Sequence, residues 1–236
     1  MAGQCSFIDN LFPEKPNFNF GLFASTNSGK SVQAVTFICN FNHFYPDYKV
    51  SKVIVVSSMY QPLYDKIKKT FPLDFYEKLD ENLLETIDSS YDPNKYLIIF
   101  IDDMGTSLAK NDVLTRLVTI YGHHRNVCNI VTAHSIHLHS TTQWRTFIKN
   151  LHLIGIGSSA TQRMATTILF TQIFGPGGAK ICNDCIEDCE QVQKERYGNN
   201  YWFLYINTSA TCQSAHRIFC DPFSNKPIIY TRAKKV

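Results

Sequence analysis

A chain of 236 residues, 44% hydrophobic and 13% aromatic with only 18% charged, has the composition of a folded protein and can bury a full core. Its formal net charge of +3 is too mild to announce a nucleic-acid binder, and no segment approaches the roughly 20 apolar residues that span a bilayer. The start, Met1-Ala-Gly-Gln-Cys-Ser-Phe, has no basic flank before an apolar run. One domain over residues 1–236 is therefore expected, soluble and intracellular, with no membrane partner and its eight cysteines reduced. The basic groups Lys66, Lys68 and Lys69, Arg163 and Lys180, and Arg232, Lys234 and Lys235 read singly as solvated faces.

Apolar, β-branched runs alternate with helical stretches, the rhythm of an α/β protein with a central, mostly parallel sheet. The first predicted strand, Phe18–Ala24, runs into Ala24-Ser-Thr-Asn-Ser-Gly29-Lys30-Ser31, and a helix from Ser31 to about Phe44 follows. This is the phosphate-loop pattern with alanine for its first glycine, in the strand-to-helix setting the pattern demands. The backbone N–H groups of Ala24, Ser25, Thr26, Asn27, Ser28 and Gly29 would wrap the phosphates, and the helix would point its positive end at them. Gly29 allows close approach, whereas Ala24 fits only with ordinary backbone angles. Lys30 would reach the outer phosphates of ATP and Ser31 would ligate Mg2+.

A strand at Val53–Ser57 and helices at Tyr60–Phe71 and Phe75–Ile87 come next, before a strand at Tyr96–Ile101. Its run Leu97-Ile-Ile-Phe-Ile101 is apolar at every position, as expected of a central strand covered on both faces. It ends in Asp102-Asp103, at the carboxyl edge where an open α/β sheet keeps its ligand chemistry. Asp102 would hold Mg2+ through its water shell, and Asp103 would orient and deprotonate the attacking water. The competing role for Asp103 is a helix cap.

A helix at Thr106–Gly122 leads to Tyr121-Gly-His-His-Arg-Asn-Val-Cys-Asn-Ile-Val-Thr-Ala-His134, which contains the strand Asn129–Ala133. Phosphate loop, acid pair and this turn, in that order from Phe18 to Ile156, resemble the genome-packaging ATPases of poxviruses, related large DNA viruses and virus-like transposons. These belong to the FtsK–HerA class of DNA-pumping motors. The resemblance implies a P-loop NTPase with a RecA/FtsK-like ASCE core, using ATP and Mg2+ to translocate double-stranded DNA. It also implies a homo-oligomeric ring, a capsid or portal partner, and work at a viral assembly site in the host cell or in the virion. His134 stands where the family has a glutamine that senses the γ-phosphate, and the family's arginine before the histidine corresponds to His123, with Arg125 two residues on. Arg145, in Gln143-Trp-Arg-Thr-Phe-Ile-Lys-Asn150, is the first candidate for an arginine finger reaching a neighbouring subunit, and Arg125 the second.

Strands at Leu151–Ile156, Tyr201–Ile206 and Ile228–Thr231 complete the pattern, with helices within Ser159–Phe174 and Ala179–Tyr197 parted by a sharp turn at Gly175-Pro-Gly-Gly178. Cys182, Cys185 and Cys189, with Cys212, His216 and Cys220, have spacings that zinc accepts, but the first three share a helical face with Ile186 and Val192 and read as a core stripe, cysteine burying readily as a small hydrophobe. His123, His124, His134, His137 and His139 have no acid or cysteine at ligand spacing. Two rivals to the packaging motor remain: another P-loop enzyme, helicase-like or a small-molecule kinase, and a non-hydrolysing nucleotide-dependent assembly scaffold, which the histidine at 134 keeps open.

Overall fold

The apolar runs do become strands, and they share one sheet. A computed structural model describes residues 11–136, 141–157, 160–198, 201–212 and 217–231. Among them the strands are β1 (Asn19–Phe23), β2 (Val50–Val56), β3 (Leu73–Tyr76), β4 (Tyr96–Ile101), β5 (Val127–Ala133), β6 (Leu153–Gly157), β7 (Phe203–Asn207), β8 (Ile218–Cys220) and β9 (Ile228–Tyr230). Their order is β3-β2-β4-β5-β1-β6-β7-β8-β9. The pairs from β3 across to β6 are parallel, and β7, β8 and β9 extend the sheet antiparallel. The sheet is thus mostly parallel and flanked by helices, with β5 inserted between β1 and β4.

The helices are α1 (Lys30–Cys39), α2 (Phe41–Phe44), α3 (Asp65–Lys68), α4 (Glu81–Ser89), α5 (Asp112–Arg116), α6 (Gly122–His124), α7 (Thr142–Lys149), α8 (Ala160–Phe174) and α9 (Gly178–Tyr197). Successive strand residues point to opposite faces, so each central strand feeds two cores. Val53, Val55, Ile98 and Phe100 pack with Phe37 and Phe41 of α1 and α2, whereas Ile54, Val56, Ile99 and Ile101 pack with Leu114, Trp144 and Phe170. That double burial is why the β4 run has no polar alternation. Among the described residues no helix is long and apolar enough to cross a membrane.

Four expected helices differ, the first by a break at Asn40 that parts α1 from α2. Leu73–Tyr76 is a strand, because it completes the edge beside Val53–Val56, and the helix waits until Glu81. The stretch from Tyr60 to Phe71 shrinks to a 3-10 turn at Pro62–Tyr64, begun by a proline that pre-sets its φ, followed by the single turn of α3. Thr106–Gly122 divides into a 3-10 turn at Gly105–Lys110, α5 capped by the Asn111 side chain, a π turn at Leu117–Tyr121, and α6. A π turn loosens the carbonyl ladder, and two buried asparagines supply the donors. Asn19 Nδ2 donates to Val118 O at 2.9 Å and Asn129 Nδ2 to Leu117 O at 3.1 Å, while Asn129 also donates to Asn19 Oδ1 at 2.8 Å across the β1–β5 pair.

The turn at Gly175 forms as expected, with φ 76°, and brings α8 and α9 together so closely that a Cβ on Gly178 would lie 2.3 Å from the carbonyl oxygen of Phe170. Cys182, Cys185 and Cys189 are buried in the core with Ile186, and burial pushes the Cys185 thiol up to about 12. Among the described residues no three His, Cys, Asp or Glu side chains are arranged to hold a metal ion. His137, His139, His216, Arg232, Lys234 and Lys235 lie outside the described residues, as does the His123 side chain.

Candidate nucleotide site

Because β1, β4 and β5 run parallel in register, Phe23 beside Ala133 and Ile101 beside Val131, their carboxyl ends emerge together. The segments leaving these three strands therefore meet: Ala24 and the phosphate loop after β1, Asp102 and Asp103 after β4, His134 after β5.

The loop is built by two left-handed residues, Asn27 at φ 58° and Gly29 at φ 86°, the second of which opens α1. Ala24 has no positive φ, so the missing first glycine costs no backbone strain. It is buried against Gly157, where an added Cβ would come within 2.8 Å of its own. Ser28 Oγ donates to Ser25 O at 2.6 Å and Lys30 Nζ to the same oxygen at 2.9 Å, which ties the loop into a ring while Thr26 and Asn27 stay exposed at its tip. Lys30 is buried; desolvation lowers its pKa, against the opposing pull of Asp103 and Asp102.

Asp102 is fully buried and well supplied with donors. Its Oδ1 accepts from Ser31 Oγ at 2.8 Å and Thr132 Oγ1 at 2.6 Å, and its Oδ2 from Tyr64 OH at 2.7 Å and, more loosely, Gln61 Nε2 at 3.4 Å. Burial pushes the Tyr64 phenol well above its ordinary value, so it remains a donor at physiological pH. Asp103 makes a different set of contacts. Its backbone is left-handed at φ 47°, its N–H donates to Thr132 Oγ1 at 2.9 Å, and its Oδ1 lies 3.0 Å from His134 Nε2. That last contact has the distance of an ion pair but not hydrogen-bond alignment, and Oδ1 is buried without a hydrogen bond among the described residues.

Lys30, Ser31, Asp102, Asp103 and His134 are thus brought to one edge. Arg125 is not among them: it precedes β5, at the end of the strand opposite His134, where it lies 3.6 Å from Asp88 and over the ring of Tyr91 at 4.5 Å. Arg145 is exposed on α7, and its side chain pairs with nothing among the described residues. Gln61, Tyr64 and Thr132 escaped the sequence. Thr132 left one signal, a polar residue inside an apolar strand, while Gln61 and Tyr64 reach Asp102 from 41 and 38 positions away.

No protein-family model and no curated protein matches the chain. Solved structures do. The genome packaging NTPase B204 from Sulfolobus turreted icosahedral virus 2, in complex with ATP-gammaS, aligns with a TM-score of 0.51 at 12% identity over 81% of this chain and 93% of that one. B204, the DNA-packaging ATPase from Sulfolobus turreted icosahedral virus, aligns with a TM-score of 0.51 at 10% identity over 82% and 93%. The chain is similar in fold to a viral genome-packaging NTPase. At such low identity a shared packaging-NTPase fold assigns no residue a role, so the chemistry has to be argued from the side chains just described.

Proposed function

We propose that the chain binds Mg-ATP at the carboxyl ends of β1, β4 and β5, hydrolyses it, and uses the energy to translocate double-stranded DNA, packaging a viral genome into a preformed capsid. The observation that carries the ATPase reading is the 2.8 Å hydrogen bond between Ser31 of the phosphate loop and Asp102 after β4, joining residues 71 positions apart. A hydroxyl and a carboxylate side by side are hard oxygen donors, and magnesium takes few protein ligands because it keeps waters and substrate phosphates in its shell. The buried, unbonded Oδ1 of Asp103 next to them fits a second-layer role toward a bound water. Ser31 and Asp102 would hold magnesium there, and it would supply positive charge against the phosphates.

The chain's own residues then divide the work. Loop N–H groups from Ala24 to Gly29 hold the phosphate oxygens, and Lys30 exchanges Ser25 O for the outer phosphates. Asp103 takes a proton from the water whose oxygen attacks the γ-phosphorus as the bond to the bridging oxygen of ADP breaks. His134, 3.0 Å from Asp103 Oδ1, senses that phosphate. The same contact favours the scaffold reading in one respect, since His134 held against Asp103 occupies the base. The motor, the ring of identical subunits, the capsid or portal partner and the assembly-site location are supported by the motif order and the packaging-NTPase fold.

Steady-state ATP hydrolysis with and without long double-stranded DNA tests this, with Lys30→Ala as the blank. Stimulation by DNA that vanishes in the blank is expected. Turnover indifferent to DNA removes the motor, and tight ATP binding without turnover favours the scaffold. Asp103→Asn is expected to bind ATP while turnover falls at least about 100-fold, the range of a lost general base; normal turnover in that variant removes the role given to Asp103.

A further inference from the structure

Two buried thiols, Cys189 of α9 and Cys220 of β8, meet where the last strands of the sheet pack against α9, and the nucleotide chemistry uses neither. One phenol bridges them. Tyr230 OH of β9 lies 3.4 Å from Cys189 Sγ and 3.5 Å from Cys220 Sγ, and it donates to Asp188 Oδ2 at 2.8 Å. The thiols also hydrogen-bond to each other, and that contact splits them. Cys189 draws Cys220 below the ordinary thiol value despite its burial, while the same contact, with burial, pushes Cys189 up. A low thiol beside a protonated one is a nucleophile next to a resolving partner. Cys182 and Cys185, on the same helix, are both raised by burial and have no such asymmetry. The cover over the pair is thin: β9 is three half-buried residues, paired with β8 at the end of the sheet. An edge strand of that length opens at low free-energy cost, which lets a small solute reach sulfurs that the closed fold shields.

We propose that Cys189 and Cys220 form a reversible disulfide when the chain meets a peroxide, pinning the β8–β9 hairpin to α9. The Cys220 sulfur, as thiolate, attacks one peroxide oxygen; the O–O bond breaks, hydroxide leaves and takes up the thiol's own proton as water, and Cys220 becomes a sulfenic acid. The Cys189 sulfur then attacks the Cys220 sulfur. The S–S bond forms, the S–O bond breaks, and the second hydroxide leaves as water with the Cys189 proton. Two thiols lose two electrons and hydrogen peroxide gains them. Arg196 of α9 already pairs with Asp221 at 2.9 Å, and the link fixes the same joint one residue earlier in β8. Asp221 and Phe223 line a cavity of about 600 Å3 against Asn27 to Gly29 of the phosphate loop, so the disulfide ties one wall of that cavity to α9.

Hydrogen peroxide added to the full chain, followed by thiol alkylation in urea and peptide mapping without reductant, tests this. The expected product is a linked pair of peptides bearing Cys189 and Cys220, lighter by two hydrogens and split again by dithiothreitol. The oxidised chain is expected to unfold at higher urea than the reduced one, because a cross-link restricts the unfolded ensemble. Cys189→Ala is expected to stop at the Cys220 sulfenic acid, trapped by dimedone, and Cys220→Ala to leave Cys189 a free thiol. Cys189 and Cys220 both recovered as alkylated thiols from the wild type overturn the proposal, whether or not the variants fold. A link that joins either of them to another cysteine overturns it as well. Sulfenic acid at Cys189 in Cys220→Ala overturns the roles given to the two sulfurs.

Discussion

Asp102 would be a costly residue to bury without its four partners. Ser31 and Thr132 serve one oxygen, Tyr64 and Gln61 the other, and only Tyr64 gives Oδ2 a short bond. Tyr64→Phe therefore leaves a buried carboxylate oxygen with a 3.4 Å contact, and should lower unfolding stability by about 1.5–3 kcal/mol in urea titration. It should also weaken the magnesium dependence of turnover, since the carboxylate is no longer held toward Ser31. Lys30 presents the opposite case, a charge whose burial opposes folding. Its folded pKa lies below the ordinary 10.5, so between the two values the unfolded chain binds more protons and stability rises with pH. Melting temperatures from neutral pH to pH 10 should show that rise in the wild type and lack it in Lys30→Met, which should be at least as stable at neutral pH.

Between residues and the whole stands the element, and here the π turn at Leu117–Tyr121 is the instructive one. Asn129→Ala removes the donor to Leu117 O and to Asn19 Oδ1 together and should cost about 2–3 kcal/mol, read by urea unfolding. The sequence predicts a straight helix across this stretch because apolar spacing cannot register one extra residue in a turn. The clue lies elsewhere, in Asn19 and Asn129 placed inside mostly apolar strands and facing one another across the β1–β5 pair. Such limits run through the molecule. The phosphate loop and the acid pair were legible because each is a short run whose neighbours in sequence are its neighbours in space. Leu73–Tyr76 was not, since four residues carry too little periodicity and their strand state comes from the edge of β2. Tyr64 and Gln61 were invisible for the same reason at the site, being delivered to Asp102 by a 3-10 turn whose only local mark is Pro62. The cavity beside the phosphate loop is harder still, with one wall near residue 30 and the other beyond residue 200.

For the whole molecule, the open question posed by the fold is whether one chain completes its own site. Arg145 is solvent-exposed and unpaired among the described residues, whereas Arg125 is held by Asp88 and Tyr91 at the opposite end of β5. If Arg145 serves a neighbour's ATP, Arg145→Ala should bind ATP normally yet lose about 10³-fold in kcat, the scale of a missing arginine finger. Mixed with Lys30→Ala, it should regain activity beyond the sum of the two, because some interfaces then combine an intact phosphate loop with an intact arginine. Additive activities in the mixture would exclude Arg145 from that role.

The position of β1 has a consequence for how the protein is made. This strand carries the phosphate loop, yet it is flanked by β5 and β6, and Asn19 meets Asn129 and His152 at separations of 110 and 133 residues. At ribosomal speeds its partners emerge on the order of ten seconds later. For that interval Phe18, Phe20, Leu22 and Phe23, all buried in the finished sheet, have no strand to pair with. A site that looks local in sequence is thus among the last to be assembled during synthesis, and the nascent chain carries an adhesive strand that chaperones have every reason to hold.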